Sequence, residues 1–188
     1  MSDTRLEIPA HFATGEVVLR PPTHDDVERI AEICQDPDIQ RFTRVPSPYR
    51  RSDAEGFVEM AREAIDSGRG APLLVESEGA TVGCVGFGIH PQDGYGSVGY
   101  WMAPEARRRG TATLAARLLC RWCFDDLRLA RLELEAVTAN PASNALAARL
   151  GFTLEGTRRS AFPLTAVAGF PAERADVHVW GLLPGELR

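Results

Sequence analysis

Three groups of residues have the types and spacing that chemistry requires. The first is Arg107-Arg-Arg-Gly-Thr-Ala112, which follows the apolar run Tyr95-Gly-Ser-Val-Gly-Tyr-Trp-Met102. A strand handing over to a helix through a glycine presents the helix's unpaired N–H groups to an anion. The positive end of the helix dipole lies at the same place. Gly110 allows a bulky anion to approach the backbone, and arginine supplies a fork of donors suited to phosphate. Without further context the cluster is equally a solvated basic turn. The second group is Asn140-Pro-Ala-Ser-Asn144. Asparagine followed by proline is an N-cap and first helical residue, so Asn140 caps a helix that carries Ser143 and Asn144 in its first turns. The third is Cys120-x-x-Cys123. It has no second pair, so a zinc site lacks two ligands, and both cysteines fit an apolar helix stripe. No metal is expected. Gly83, Gly86 and Gly88 are spaced G-x-x-G-x-G with no helix after them, which is a glycine-rich strand rather than a dinucleotide turn.

The chain that must position these groups has 188 residues, 44% of them hydrophobic and 25% charged, enough for one domain with a sizeable core. A net charge of −5 disfavours general binding to nucleic acid or anionic membranes. The first residues lack the pattern of a signal peptide, and no run approaches the ~20 apolar residues of a membrane span. A cytoplasmic protein is expected.

In order, Val17–Arg20 forms a strand stopped by two prolines, and Thr23 caps a helix that Pro37 ends by Asp36. Residues 41–51 are irregular, a spacer or a pocket wall. Ser52 and Glu55 form a capping box for a helix burying Phe57, Met60, Ala61, Ala64 and Ile65, with Gly68 after it. Strands follow at 72–76, 81–89 and 95–102. The helix after the arginines buries Leu114, Ala115, Leu118, Leu119, Trp122 and Cys123. A strand at 131–137, the Asn140 helix closed by Gly151, a strand from Phe152, an Ala/Pro/Gly-rich loop and a strand at 175–182 complete the chain. The expected fold is α/β (α+β mixed): one domain over residues 1–188, its core about 17–183, with a mixed, mostly antiparallel sheet of about seven strands and helices on both faces.

Arg107-Arg-Arg-Gly-Thr-Ala112 fits R/Q-x-x-G-x-G/A, and in this context the chain resembles the GNAT N-acetyltransferase superfamily. Gly99-Tyr-Trp101, Asn140-x-x-Ser143, Gly151-Phe-x-x-Glu-Gly156 and Asp176-Val-His-Val-Trp180 are similar to the branch of ribosomal-protein N-terminal acetyltransferases of RimJ/RimL type, over roughly residues 17–183. The resemblance implies acetyl-CoA as co-substrate and direct acetyl transfer to a primary amine, either a protein N-terminus or a small molecule. The backbone around Arg107, Arg109, Gly110, Thr111, Ala112 and Thr113 would hold the pyrophosphate. Met102, where two strands splay, would pair with the pantetheine arm and steady the oxyanion. Asn140 and Asn144 would meet that arm. Ser143 would protonate the departing thiolate. Phe42, Tyr49 and Trp101 are candidates for the acceptor pocket.

Two departures bear on mechanism. Ala147 stands where many members carry a tyrosine acid, and the strand before the turn lacks a glutamate base. His90, Ser97 or a water chain are the remaining bases. An α-amine of pKa about 7.7–8.0 is roughly a tenth neutral at neutral pH, whereas a lysine ε-amine near 10.4 is about 0.04% neutral. An α-amine or other low-pKa amine is therefore the expected acceptor, and the acidic net charge favours a cationic one. A non-catalytic acyl-CoA-binding module on the same fold is the alternative. Nucleic-acid or membrane partners are not expected, and the chain is read as a monomer or homodimer.

Overall fold

The computed structural model describes residues 5–9, 12–167 and 169–188. Eight strands form one sheet: β1 (Ala13–Thr14), β2 (Val17–Arg20), β3 (Gly70–Ser77), β4 (Ala80–His90), β5 (Tyr95–Met102), β6 (Leu132–Val137), β7 (Thr153–Leu164) and β8 (Glu173–Leu182), in the order β1-β2-β3-β4-β5-β6-β8-β7. Every pairing is antiparallel except β5 with β6. The helices are α1 (Val27–Ile33), α2 (Pro37–Phe42), α3 (Arg51–Asp66), α4 (Thr111–Asp125) and α5 (Pro141–Leu150). The mixed, mostly antiparallel sheet expected from the sequence is present, with the two-residue β1 as an eighth strand.

The centre of the sheet is covered on both faces, which is why its strands read as apolar runs. Leu73, Leu74 and Val75 are all fully buried. Leu73 and Val75 join the core that contains α4 and α5, whereas Leu74 joins the core around α1 and α3. Close contact explains the glycines of β4. A Cβ on Gly86 would stand 2.9 Å from the Pro72 Cα, and one on Gly83 would stand 2.6 Å from the Trp101 carbonyl oxygen.

Four expectations are corrected. Pro37 does not only end a helix; it opens α2, because the Asp36 carboxylate accepts the Ile39 N–H (3.0 Å) and proline at the first position loses no helical bond. The capping box of α3 lies earlier than Ser52, with the Asp53 carboxylate accepting the Arg50 N–H at 2.7 Å. Helix α3 accordingly buries Ala54, Val58, Ala61 and Ile65 and exposes Met60. Helix α4 is rotated toward its small residues: Ala115, Ala116, Leu119, Cys120 and Cys123 are buried, and Leu114 is exposed. This seats Trp122 edge-on against Phe12 and Phe87, with ring centroids 5.3 and 5.5 Å away. The stretch after Phe152 is a strand through Leu164, interrupted by register shifts near Glu155 and between Arg158 and Phe162.

Candidate active site

Strands β5 and β6 pair only where Gly96–Val98 lies against Leu132–Leu134. Each then continues alone, β5 held by β4 as far as Met102 and β6 held by β8 as far as Val137. The two strands diverge and leave facing edges. The direction of those edges follows from alternation along a strand. The Ala103 N–H donates to Val82 O on the β4 side (2.9 Å), and the Gly96 N–H donates to Arg131 O on the β6 side (3.0 Å). The even-numbered residues of β5 therefore turn their backbone groups toward β6. Beyond Val98, those of Tyr100 and Met102 point into the gap. The Met102 carbonyl accepts from Arg107 Nε at 3.1 Å, which leaves the Met102 N–H directed into the cleft. The cleft has a volume of about 990 Å³.

At one end of the cleft the chain makes a short 3-10 turn, Pro104–Ala106, and enters α4 through two left-handed residues, Arg108 (φ 62°) and Gly110 (φ 85°). Nothing lies within 4 Å of a Cβ built on Gly110, so backbone conformation alone selects glycine there. The first helical bond is Leu114 N–H to Gly110 O, so the N–H groups of Thr111, Ala112 and Thr113 have no helical acceptor. No acidic residue lies in this first turn. The left-handed turn and the open helix end form a concave cradle for an anion. Arg108, Gly110, Ala112 and Thr113 line the cleft. Thr111 is buried, and Arg109 lies outside the cleft lining.

Arg107 has another task. Besides Met102 O, its guanidinium binds Asp36 Oδ1 at 2.5 Å and Asp38 Oδ2 at 3.2 Å. It ties the end of β5 to the cap of α2, and its donors face protein acceptors rather than a ligand. Arg108 lines the cleft beside it and makes no ion pair among the described residues.

Helix α5 closes the same cleft. The Asn140 carbonyl oxygen of the side chain caps it by accepting the Ser143 N–H at 3.1 Å. Both residues line the cleft, and Ser143 is buried beside Tyr100. Burial raises the pKa of the Tyr100 phenol, and its hydrogen bond with Ser143 moderates the rise, so the phenol stays protonated. Asn144 lies outside the lining. Its amide donates to Val137 O (3.0 Å) and Asn140 O (2.8 Å). Its oxygen accepts from Trp180 Nε1 (3.0 Å) and faces His178 Nδ1 (2.8 Å), which assigns the proton of that histidine to Nδ1. All four of its hydrogen-bonding positions are therefore spent inside the protein.

On the opposite face of the sheet from α4, Phe42 and Trp101 line the cleft. Tyr49 does not. It is buried in the core with Cys34 and Cys84, where burial raises the pKa of its phenol. His90 and Ser97 bond each other at 3.1 Å outside the cleft lining, so neither is placed to act as a base. Among the described residues two carboxylates do reach the cleft, Asp38 and Glu135. Asp38 is paired with Arg107 and Glu135 with Arg158. Glu135 had no sequence signal beyond the alternation of its strand. Asp36 did have one, the same cap-then-proline pattern as Asn140-Pro141.

Similarity to known proteins agrees with this geometry. Over 62 residues the chain is 39% identical to the putative ribosomal N-acetyltransferase YdaF of Bacillus subtilis (strain 168), a match covering 33% of this chain and 34% of that protein. It is 25% identical over 149 residues to the uncharacterized N-acetyltransferase YoaA of the same strain, covering 78% of this chain and 84% of the relative. The solved structure of RimL, the ribosomal L7/L12 alpha-N-protein acetyltransferase in complex with coenzyme A, has the same fold. It superposes with a TM-score of 0.82 over 90% of this chain and 95% of its own, at 20% identity. Residues 16–153, from β2 to the first residue of β7, match the acetyltransferase (GNAT) domain, and the chain belongs to that family.

Proposed function

We propose that the protein transfers an acetyl group from acetyl-CoA directly to a primary amine, and that an α-amine is the preferred acceptor. The observation that carries this reading is the arrest of β5–β6 pairing at Val98 and Leu134, which opens a cleft ending at the left-handed turn of α4. The residues there fit the co-substrate. The N–H groups of Gly110–Thr113, with Arg108, suit a pyrophosphate, and the open edge of Tyr100–Met102 suits the amides of a pantetheine arm. RimL, with the same fold, is a coenzyme A complex. Bound there, acetyl-CoA supplies an activated thioester carbonyl.

The chain's own groups do the rest. The Met102 N–H, directed into the gap, donates to an oxygen on which negative charge develops. The Ser143 hydroxyl holds a proton on the α5 side, available to a leaving thiolate. Trp101 and Phe42 wall the acceptor side. Among the described residues both carboxylates of the cleft are held by arginines, so the acceptor must arrive with a neutral fraction of its own. An α-amine meets that demand at neutral pH and a lysine ε-amine does not. Ribosomal acetylation in the names of YdaF and RimL makes a protein N-terminus the first acceptor to test.

Thiol release from acetyl-CoA tests the reading. Peptides with a free α-amine should be acetylated at neutral pH roughly two orders of magnitude faster than Nα-blocked lysine peptides, following the neutral fractions. Equal or faster ε-acetylation contradicts it.

A further inference from the structure

The charged side chains lining the cleft are Asp38, Arg44, Arg107, Arg108, Glu135 and Arg149. Asp38 is ion-paired with Arg107, which it shares with Asp36, and Glu135 is paired with Arg158 from β7. Among the described residues, the charged lining side chains that have no ion-pair partner are all arginines. Arg108 lies in the anion turn and Arg149 in the last turn of α5. Arg44 is elsewhere. It follows α2, has no ion-pair partner among the described residues, and holds its guanidinium 5.3 Å from the centre of the Phe162 ring on β7. Phe42 and Phe162 belong to the small apolar cluster around Val137 and Val177, across the sheet from α4. The arginine three positions earlier is already spent, since Arg41 donates to Glu173 Oε1 at 2.6 Å and to Pro171 O at 3.2 Å.

Resting on the acetyltransferase reading, we infer that the acceptor amine carries an anionic group, a carboxylate or its equivalent, which is received by Arg44 against the face of Phe162. The acidic net charge of the chain suggested the opposite, a cationic acceptor. The local arrangement outweighs it, because charges more than a Debye length of about 8 Å away are largely screened, while among the described residues every carboxylate lining the cleft is ion-paired. The protein has 21 arginines and no lysine. The absence of lysine also leaves no internal ε-amine to be acetylated as background.

Thiol release is measured with matched peptide amides beginning Ser-Asp-Asp, Ser-Asn-Asn and Ser-Lys-Lys, and with the α-amide of aspartate against asparagine amide, so that the neutral member of each set carries no carboxylate. The acidic member of a set should exceed the neutral one in kcat/KM by about tenfold or more, as for a hydrogen-bonded ion pair, and the excess should shrink with salt. A preference confined to peptides assigns a polypeptide acceptor, and one shared by the α-amide of aspartate assigns a small amino acid. Arg44→Gln should bring the acidic-to-neutral ratio to within about twofold, and Arg44→Glu should invert it toward Ser-Lys-Lys, with acetyl-CoA affinity held. Equal or better turnover of the neutral or lysine peptides by the unmodified protein overturns the inference, as does a ratio that survives Arg44→Gln. If acetyl-CoA binds and some amine is acetylated without acidic preference, this inference alone falls. If acetyl-CoA does not bind, the underlying reading falls with it.

Discussion

Arg107 joins three parts of the site with one guanidinium: the Met102 carbonyl, the Asp36 cap of α2 and Asp38 in the cleft. A planar fork can hold three acceptors at fixed angles and an ammonium cannot. Arg107→Lys should therefore lower kcat/KM for transfer by more than it weakens acetyl-CoA binding, and parallel kinetics and calorimetry check the split. Ser143 is the one hydroxyl that α5 brings to the gap. Ser143→Ala should slow kcat by about 10- to 100-fold, at or below the lower limit of a general acid's usual contribution, because a thiolate leaves tolerably without help. Unchanged kcat removes Ser143 from the mechanism. Asn144 is a structural hub, so Asn144→Ala should act on stability, costing about 1–3 kcal/mol for the groups it strands. That corresponds to a fall in Tm of roughly 2–4 °C per kcal/mol for a chain of this size. The type and spacing of Arg107–Ala112 marked a candidate anion site in the sequence, but not which arginine is tied to neighbouring carboxylates. That choice depends on the left-handed backbone at Arg108 and on carboxylates some 70 positions away, neither of which has a local signature.

The pairing of β5 with β6 decides where the site lies. Two glycines beside it, Gly99 on β5 and Gly83 on β4, do separate jobs. Gly99 lines the cleft and has nothing within 4 Å of a built Cβ, whereas a Cβ on Gly83 would meet Met102 Sδ at 2.5 Å. Gly99→Ala should leave stability within about 0.5 kcal/mol and raise the acceptor KM by narrowing the cleft. Gly83→Ala should cost about 1–3 kcal/mol of stability through overpacking beside the reactive edge. Thermal unfolding and steady-state kinetics on the two variants separate the roles. Elements with strong local grammar were legible: Asn140-Pro141 opened α5, and Gly151, at φ 98°, closed it. Asp36-Pro37 used the same grammar but followed an existing helix, and was read as a stop. The buried stripes of α3 and α4 are displaced from the expected ones: small residues join the buried faces, Ala54 and Ala61 in α3 and Ala115, Ala116, Cys120 and Cys123 in α4, beside larger ones such as Val58, Ile65, Leu119 and Trp122, while Met60 and Leu114 stay exposed. The bulges of β7 follow from its place at the sheet edge, where one neighbour sets the register.

Charge and burial across the fold set how the protein responds to pH. Burial pushes the Asp26 carboxyl up, but Arg20 and the N–H and hydroxyl of Thr23 outweigh it and hold the group below the usual carboxylate range. Its contribution is complete above the unfolded value of about 3.9 and is lost as pH falls through the lower folded value. The four cysteines are free and buried, and burial raises Cys34 and Cys120 to about 12. Neutral thiols in the fold stabilise it below the unfolded pKa of about 8.5, and that contribution declines as pH rises toward the folded values. Denaturant titrations should therefore show stability falling at both ends, below about pH 4 and above about pH 8.5. At mildly alkaline pH, iodoacetamide should label all four thiols in denaturant and leave the folded protein largely unmodified. The mixed sheet and the strand-to-helix turn before α4 were readable from pattern and motif, whereas the unpaired arginines of the cleft were not. Net charge is a property of composition, and the pairing of Asp38 and Glu135 is a property of the fold. Calorimetric titration of the purified protein with acetyl-CoA bears most directly on the cleft itself. Near one-to-one binding of micromolar strength, weakened by raised salt and by removal of the 3′-phosphate, is the expected result. No binding up to millimolar acetyl-CoA contradicts the assignment of the splayed strands and the α4 turn as its site.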